Sequence, residues 1–258
     1  MANIIINADD FGYSDGICRS IIELFDADAI TGTSLMIAAF GAAERFQSWH
    51  VSNLLGRAGV HLQLTVGKPI SPAADVGTLI DPQSGHFRDP RSGDLPAVSE
   101  VETEWRRQLD VAHDVLGGSP THLDSHHGVH RIPEFFEVYV KLASELGIPV
   151  RGFGGEIGKK MRAEGIRGSV ALVRDWTGRS LGAKALRAMV TSVIAENPKE
   201  SVIEVVSHPG YNDEYLSSVS RLSAPREDDH KALLQLAREG WPEDEGHKLV
   251  PHAQLAAA

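Results

Sequence analysis

Cysteine is almost missing. Cys18 is the single thiol in 258 residues, which excludes an intrachain disulfide framework and a thiolate metal cage and makes a reducing cytoplasm the expected location. Basic charge is in the minority, 25 Lys and Arg against 35 Asp and Glu, for a formal charge of -10. Such a surface repels a phosphate backbone, so nucleic acid is not an expected partner. No apolar run approaches the roughly 18 residues that span a bilayer, and no membrane association is expected. The N-terminal stretch meets Asp9 and Asp10 before its first basic residue, Arg19, unlike a signal peptide. Internal repeats, low-complexity tracts and interdomain linkers are also lacking. The last four residues, Leu255 to Ala258, are set aside as a flexible end.

What is present describes a globular chain, 42% hydrophobic and 23% charged. Single cores stop growing at roughly 250 to 300 residues, so residues 1–258 are expected to form one domain. The run Ile4, Ile5, Ile6 has the β-branched character of a strand buried on both faces of a parallel sheet. From Asp15, a candidate N-cap, Ile17, Ile21, Ile22 and Phe25 recur at helical spacing. Further strands are predicted at 33–37, 60–64, 122–125, 148–150 and 202–206. Helices are predicted from 42 and over 101–116, 135–146, 183–196 and 228–238. Repeated βα order predicts an α/β fold with a parallel sheet. The length favours a (β/α) barrel of the TIM-like type, with an imperfect or seven-stranded form left open beside the ideal one.

Two segments interrupt the rhythm. Over 67–95, Pro69, Pro72, Pro82 and Pro90 alternate with glycines 67, 77, 85 and 93, which predicts a long loop of the kind that covers a site. Over 152–179 the chain is glycine-rich and basic and reads as an exposed insertion, with contact to an anionic substrate or to a second subunit of a homodimer as the functional alternative.

Four of the 12 histidines, His122, His126, His127 and His130, fall within nine residues. Imidazole and carboxylate are the usual ligands of Zn²⁺ and related ions, so this cluster, with Asp124 inside it, points to a metal or proton-transfer site. Gly128 and Pro133 mark the exit from a strand into a loop, where parallel α/β sites are built. Alternation puts His122, Asp124 and His126 on one face and makes His126 the better inward ligand. His127 and His130 are left to support it or to touch substrate.

The Asp9–Asp10 pair ends the first strand. Two adjacent carboxylates in an apolar site call for a cation or a proton, although a solvated pair capping the next helix is the plainer alternative. Gly12 would allow the turn that brings both inward. His61 and His208 each stand near the end of a predicted strand. Either alone reads more readily as a core histidine, but four strands delivering Asp or His to one rim is how barrel enzymes assemble sites. No dinucleotide-binding turn, Walker loop or Gly-x-Ser-x-Gly elbow is present, and a metal-free glycosidase would leave the histidines without work. Trp176, Tyr211 and Trp241 could offer flat faces to a sugar, though packing is the commoner role.

At these residues the sequence resembles the YdjC-like carbohydrate deacetylases, the family that includes the chitooligosaccharide deacetylases. The matching segments are Asn7-Ala8-Asp9-Asp10-Phe11-Gly12, Thr31-Gly32-Thr33-Ser34, His61-Leu62-Gln63-Leu64-Thr65 with Gly67-Lys68-Pro69, His122-Leu123-Asp124-Ser125-His126-His127, Val129-His130 and Ser207-His208-Pro209-Gly210. A fainter match joins Arg226 with Asp229, where the family usually has Glu. Gly128 departs from the pattern, standing where relatives commonly carry a third consecutive histidine, and 152–179 is poorly matched.

The resemblance implies a metal-dependent hydrolase, removing acetyl groups from N-acetylated sugars or oligosaccharides and built around one divalent ion, Mg²⁺ or Zn²⁺. It implies Asp10, His61 and His126 as ligands, Asp9 as general base and His208 as general acid. His127, His130, Asp124 and Arg226 are then the candidates for substrate contact, with a small carbohydrate as the partner. A metal-dependent sugar isomerase or lyase, or a non-catalytic carbohydrate- or metal-binding protein, could use the same rim, and neither would release acetate.

Overall fold

The computed structural model describes residues 1–152, 155–197 and 201–256. Seven strands form one all-parallel sheet: β1 (Asn3–Phe11), β2 (Gly32–Leu35), β3 (Ala58–Leu62), β4 (Leu123–Ser125), β5 (Ala171–Val173), β6 (Val202–Ser207) and β7 (Lys248–Leu249). Their order is β4-β3-β2-β1-β6-β5. The short β7 pairs Asn3 and Ile4 of β1 below the point where β2 begins at Asn7. Val150 bridges both Leu123 of β4 and Gly168, just ahead of β5. The curled sheet is thereby closed into an incomplete barrel.

Helices α1 (Asp15–Asp26), α2 (Ala42–Ser48), α3 (Val98–Leu116), α4 (Pro133–Leu146), α5 (Gly155–Ala163), α6 (Gly182–Glu196), α7 (Glu214–Val219) and α8 (Pro225–Arg238) join the strands. Among the described residues, no helix is long and apolar enough to cross a membrane.

Strand alternation sorts the side chains into two interiors. Ile4, Ile6, Ala8, Leu35, Val60, Leu62, Leu123, Ile203 and Val205 join the apolar core packed with the helices. Their neighbours Asn7, Ser34, His61, Asp124 and Glu204, all buried, fill the lumen with polar groups. A lumen of this composition has to be hydrogen-bonded throughout to be tolerated.

The helix ends follow their residues. Ser14, not Asp15, caps α1, its hydroxyl accepting from the Ile17 N–H at 3.2 Å. Asp15 lies one residue further on and accepts from Trp49 Nε1 at 2.9 Å. Pro133 opens α4, where a missing N–H costs nothing.

The expected strand at 148–150 is reduced to the bridge at Val150, and the one expected at 60–64 runs instead over Ala58–Leu62. The reading of 152–179 as an exposed insertion is overturned: the segment supplies α5 and β5, and Trp176 is fully buried, its Nε1 donating to the Val206 carbonyl at 2.9 Å. Gly152 and Gly168 serve close packing rather than looseness. A Cβ on Gly152 would fall 1.6 Å from the Ser169 carbonyl oxygen. Residues 153 and 154 of that segment lie outside the described ones.

The long loop after β3 is pinned rather than loose. Glu104 of α3, buried, accepts from the backbone N–H groups of Ile70 and Ser71 at 3.0 and 2.9 Å. Its first residue, Gly67, has φ +89°, and a Cβ there would lie 1.7 Å from the Ala38 carbonyl oxygen. Gly67→Ala is therefore expected to cost about 1–3 kcal/mol, read as a lower urea midpoint at unchanged slope. A parental midpoint would mean that the loop can refold around the methyl group.

Candidate active site

The rim of the barrel at the C-terminal ends of the strands holds the chemistry. Asp9 and Asp10 close β1, and simple alternation would send them to opposite faces. A β-bulge prevents this: Ala8 pairs with Thr33 but Phe11 with Leu35, leaving one extra residue in β1, and Asp10 takes φ +75°. The turn falls on Asp10 as well as on Gly12, the one residue that composition suggested for it. Both carboxylates consequently line a single cavity of about 780 Å³.

Two imidazoles converge on one carboxylate oxygen. Asp10 Oδ1 lies 3.4 Å from His61 Nε2 and 3.1 Å from His126 Nδ1. His61 comes from β3, and His126 opens the short 3-10 turn that follows β4. The other oxygen, Asp10 Oδ2, accepts from Arg226 Nη2 at 2.6 Å. Burial would raise the Asp10 carboxyl, yet Arg226 and His126 together hold it well below the usual range. His61 is fixed from behind by Asp124, whose Oδ1 lies 2.6 Å from Nδ1. Burial alone would push this imidazole down. Asp124, Asp9 and Asp10 outweigh it and raise His61 to about 9. With the Nδ1 proton directed at Asp124, Nε2 points at Asp10 and needs a proton or a cation between them.

Asp9 is held differently. Arg151 grips it with two parallel bonds, Nη1 to Oδ2 and Nη2 to Oδ1, both 2.7 Å, and Asn7 Nδ2 donates to Oδ1 at 2.8 Å. Burial acts to raise the Asp9 carboxyl, but Arg151 and His61 override it and bring it to about 2. The same guanidinium reaches Asp124 Oδ2 at 2.9 Å and donates from Nε to Glu204 Oε1 at 2.8 Å. One cation thus serves three buried carboxylates. Ser169 Oγ completes Glu204 at 2.8 Å, and Ser34 Oγ completes Asp124 at 2.6 Å.

His208 follows β6 and faces Asp9 from across the cavity, Nε2 to Oδ2 at 3.8 Å. Its Nδ1 meets Thr177 Oγ1 at 3.0 Å, and that hydroxyl donates in turn to Asp229. An Asp229 carboxylate accepting the hydroxyl proton leaves Thr177 to accept from Nδ1–H, so Nε2 faces the cavity unprotonated. Burial pushes His208 down to about 4 in spite of Asp10 and Asp9.

Among the described residues, two groupings of three have ligand atoms mutually within 4.8 Å: Asp10, His61 and His126, and Asp9, His61 and Asp124. The second is already compensated by Arg151, and its Asp124 does not line the cavity. The first opens onto the cavity, and its two imidazoles and one carboxylate are a donor set that suits a divalent ion.

The residues expected to touch substrate divide. His127 and His130 line the cavity. His127 is exposed, meets Thr65 Oγ1 at 2.9 Å, and is pushed down to about 3 by burial of its ring and by His126. His130 stacks on Tyr139 and is fixed by Ser125 Oγ at 2.5 Å. Asp124, by contrast, is sealed behind His61 and does not line the cavity, whereas Arg226, 2% exposed, lines it with its Nη2 committed to Asp10. His122 does not line the cavity; its Nε2 meets Ser34 Oγ at 3.3 Å in the lumen, and its ring stacks on His252 at 3.5 Å. None of Trp176, Tyr211 and Trp241 lines the cavity.

Arg151, Glu204 and Thr177 escaped the sequence reading. Glu204 had a signal: a lone acid at the inward parity of a β-branched strand, between Ile203 and Val205.

Comparison with known proteins agrees with this architecture. A carbohydrate deacetylase of Clostridium beijerinckii is 31% identical over 223 residues, 86% of this chain and 87% of that protein. A carbohydrate deacetylase of Brevibacillus brevis is 31% identical over 255 residues, 98% of this chain and 99% of that one. A solved structure described as a cellobiose-phosphate cleavage protein of Enterococcus faecalis V583 superposes with a TM-score of 0.86 at 26% identity, covering 98% of each chain. A Streptococcus mutans CE4 esterase shares the fold, with a TM-score of 0.55 at 14% identity over 96% of this chain and 84% of that one. Residues 3–241 match the profile described as YdjC-like protein, and the chain belongs to that family.

Proposed function

We propose that the protein is a metal-dependent hydrolase that removes acetyl groups from N-acetylated sugars, with Asp10, His61 and His126 holding one divalent ion. The observation that carries this reading is the convergence of His61 Nε2 and His126 Nδ1 on one oxygen of Asp10 at the floor of the cavity. The carbohydrate deacetylases that match over nearly the whole chain support the substrate class. Two imidazole nitrogens favour a zinc-like ion over Mg²⁺, which prefers an all-oxygen shell.

A bound divalent ion supplies Lewis acidity here, polarising the acetamide carbonyl and making a water acidic enough to lose its proton near neutral pH. The remaining work belongs to the chain. Asp9, ionised throughout because Arg151 holds it near 2, is a weak base, suited to a water that is itself acidified. It takes the water proton at Oδ2. His208, neutral with its Nδ1 proton on Thr177, takes up a proton at Nε2, the atom 3.8 Å from Asp9, and delivers it to the departing amine. Thr177 and Asp229 fix the ring so that Nε2 is the nitrogen presented. His127 and His130 border the space in which the sugar sits.

The test is acetate release from N-acetylated chitooligosaccharides by chelator-treated protein before and after Zn²⁺, Co²⁺ or Mg²⁺ is added back. Acetate is expected only with metal, and Zn²⁺ or Co²⁺ should outperform Mg²⁺. His126→Ala, whose ring is a ligand at the accessible edge, should bind the ion at least tenfold more weakly, taking about 1.4 kcal/mol as the smallest loss worth a ligand. Unchanged metal affinity in that variant would remove His126 from the set. Substrate conversion without acetate would point to an isomerase or lyase instead.

A further inference from the structure

Beneath the cavity, and not lining it, the lumen holds buried polar groups that the proposed reaction does not use. His252, which follows β7, is 1% exposed, and neither of its ring nitrogens has a hydrogen-bond partner among the described residues. Its Nε2 stands 3.7 Å from Glu204 Oε1, beyond hydrogen-bonding reach. Asn7 of β1 is equally incomplete. Its Nδ2 donates to Asp9 Oδ1 at 2.8 Å and to Ser34 Oγ at 2.7 Å, but its Oδ1 has no partner among the described residues. Buried polar atoms are rarely left in this condition, because nothing then compensates their desolvation.

The two unpartnered atoms meet at Gly32. A Cβ on that residue would fall 2.9 Å from Asn7 Oδ1, 3.2 Å from His252 Nδ1 and 3.4 Å from the Arg57 carbonyl oxygen. Gly32 opens β2 without a positive φ, so its backbone does not call for glycine. What the missing side chain leaves is room beside three polar atoms, and a strand glycine of this kind marks the close approach of another group. Three polar partners are the usual complement of a buried water.

We propose that a water molecule is bound beside Gly32, accepting from His252 Nδ1–H and donating to Asn7 Oδ1 and to the Arg57 carbonyl, and that His252 is through it a positioning residue for Asp9. Turning the Asn7 amide over would set its Oδ1 against the Asp9 carboxylate, where it has no proton to give. A donor held on Oδ1 keeps the amide the productive way up. The C-terminal segment is thereby tied, through the water and Asn7, to the carboxylate that takes the proton. The consequence for catalysis rests on the deacetylase reading above, whereas the water and the orientation of Asn7 do not.

Two substitutions separate the hydrogen bond from the packing. His252→Phe keeps a ring against His122 but removes Nδ1, and His252→Asn gives up the ring but keeps an amide N–H near the place of Nδ1. In chelator-treated protein, the side-chain amide protons of Asn7, followed by NMR, should exchange with solvent about tenfold faster in His252→Phe than in the parent, and His252→Asn should restore slow exchange. With metal-loaded protein, kcat for acetate release should fall about tenfold in His252→Phe at unchanged KM and recover in His252→Asn. Parental exchange in His252→Phe, or His252→Asn impaired as much as His252→Phe, overturns the positioning role. A crystal structure of the parent should show the water bonded to both Nδ1 and Oδ1, and a direct bond between those two atoms would overturn it. If His252→Phe does not fold, Gly32→Ala, whose methyl group takes the place of the water, should give the same acceleration of Asn7 exchange, and parental exchange there overturns the site. If the parent releases no acetate, the deacetylase reading fails, and Asn7 exchange and the crystal structure decide the water site alone.

Discussion

Arg151→Met is expected to lower stability more than any other single change at the site. The substitution keeps an unbranched apolar stem but removes the cation shared by Asp9, Asp124 and Glu204, all buried. Breaking a buried ion pair from one side costs about 3–5 kcal/mol, because the remaining charge is stranded in a poorly polarisable interior. Here three carboxylates are stranded at once. The orphaned groups can relieve part of the cost by taking up protons, which sets the expectation at that range rather than at its triple. In a chain of this length the change corresponds to roughly 10 °C of melting temperature. The measurement is a urea titration on chelator-treated protein, so that bound metal does not mask the loss. A midpoint equal to the parent's would mean that the guanidinium adds nothing to stability.

Asp9→Asn separates chemistry from architecture. The residue is nearly isosteric, and its amide oxygen can still accept one bond from Arg151 or Asn7, but it cannot take a proton at the position 3.8 Å from His208 Nε2. Deacetylation is expected to fall by about 10²–10⁴-fold, the usual worth of a general base, while the ion stays bound through Asp10, His61 and His126. Metal content and acetate release have to be read on the same sample. Parental turnover in Asp9→Asn would take the role of base away from Asp9. Loss of the ion together with turnover would instead make Asp9 a ligand.

Much of the site could be read before any coordinates because its residues announce themselves as types. Two adjacent aspartates after a β-branched run and four histidines in nine residues are unusual enough to require a joint explanation. What alternation could not deliver was the way Asp9 and Asp10 come to share a cavity. That depends on a bulge and on a positive φ at an aspartate, neither of which leaves a mark in the residue pattern. Arg151 was hidden for another reason. It follows a strand reduced to one bridging residue, so no period places it, and its three partners lie 27, 53 and 142 positions away. Strand β5 was obscured by its own surroundings, since glycine density suggests a loose loop, whereas Gly152 and Gly168 are there to let backbones touch. Asp124 shows the converse: it stood among the candidates for substrate contact that followed from the resemblance, but its register opposite His61 makes it the group that orients that ring.

Among the described residues, the circuit of strands is joined between β4 and the stretch ahead of β5 through the bridging residue Val150, and the next residue is Arg151. The thinnest joint in the backbone is therefore adjacent to the most heavily bonded side chain of the lumen. Prising the wall apart there would drag the guanidinium from Asp9, Asp124 and Glu204 together. A breathing motion that parts this seam cannot leave the Asp9 carboxylate in place, so partial unfolding and loss of catalysis should be the same event.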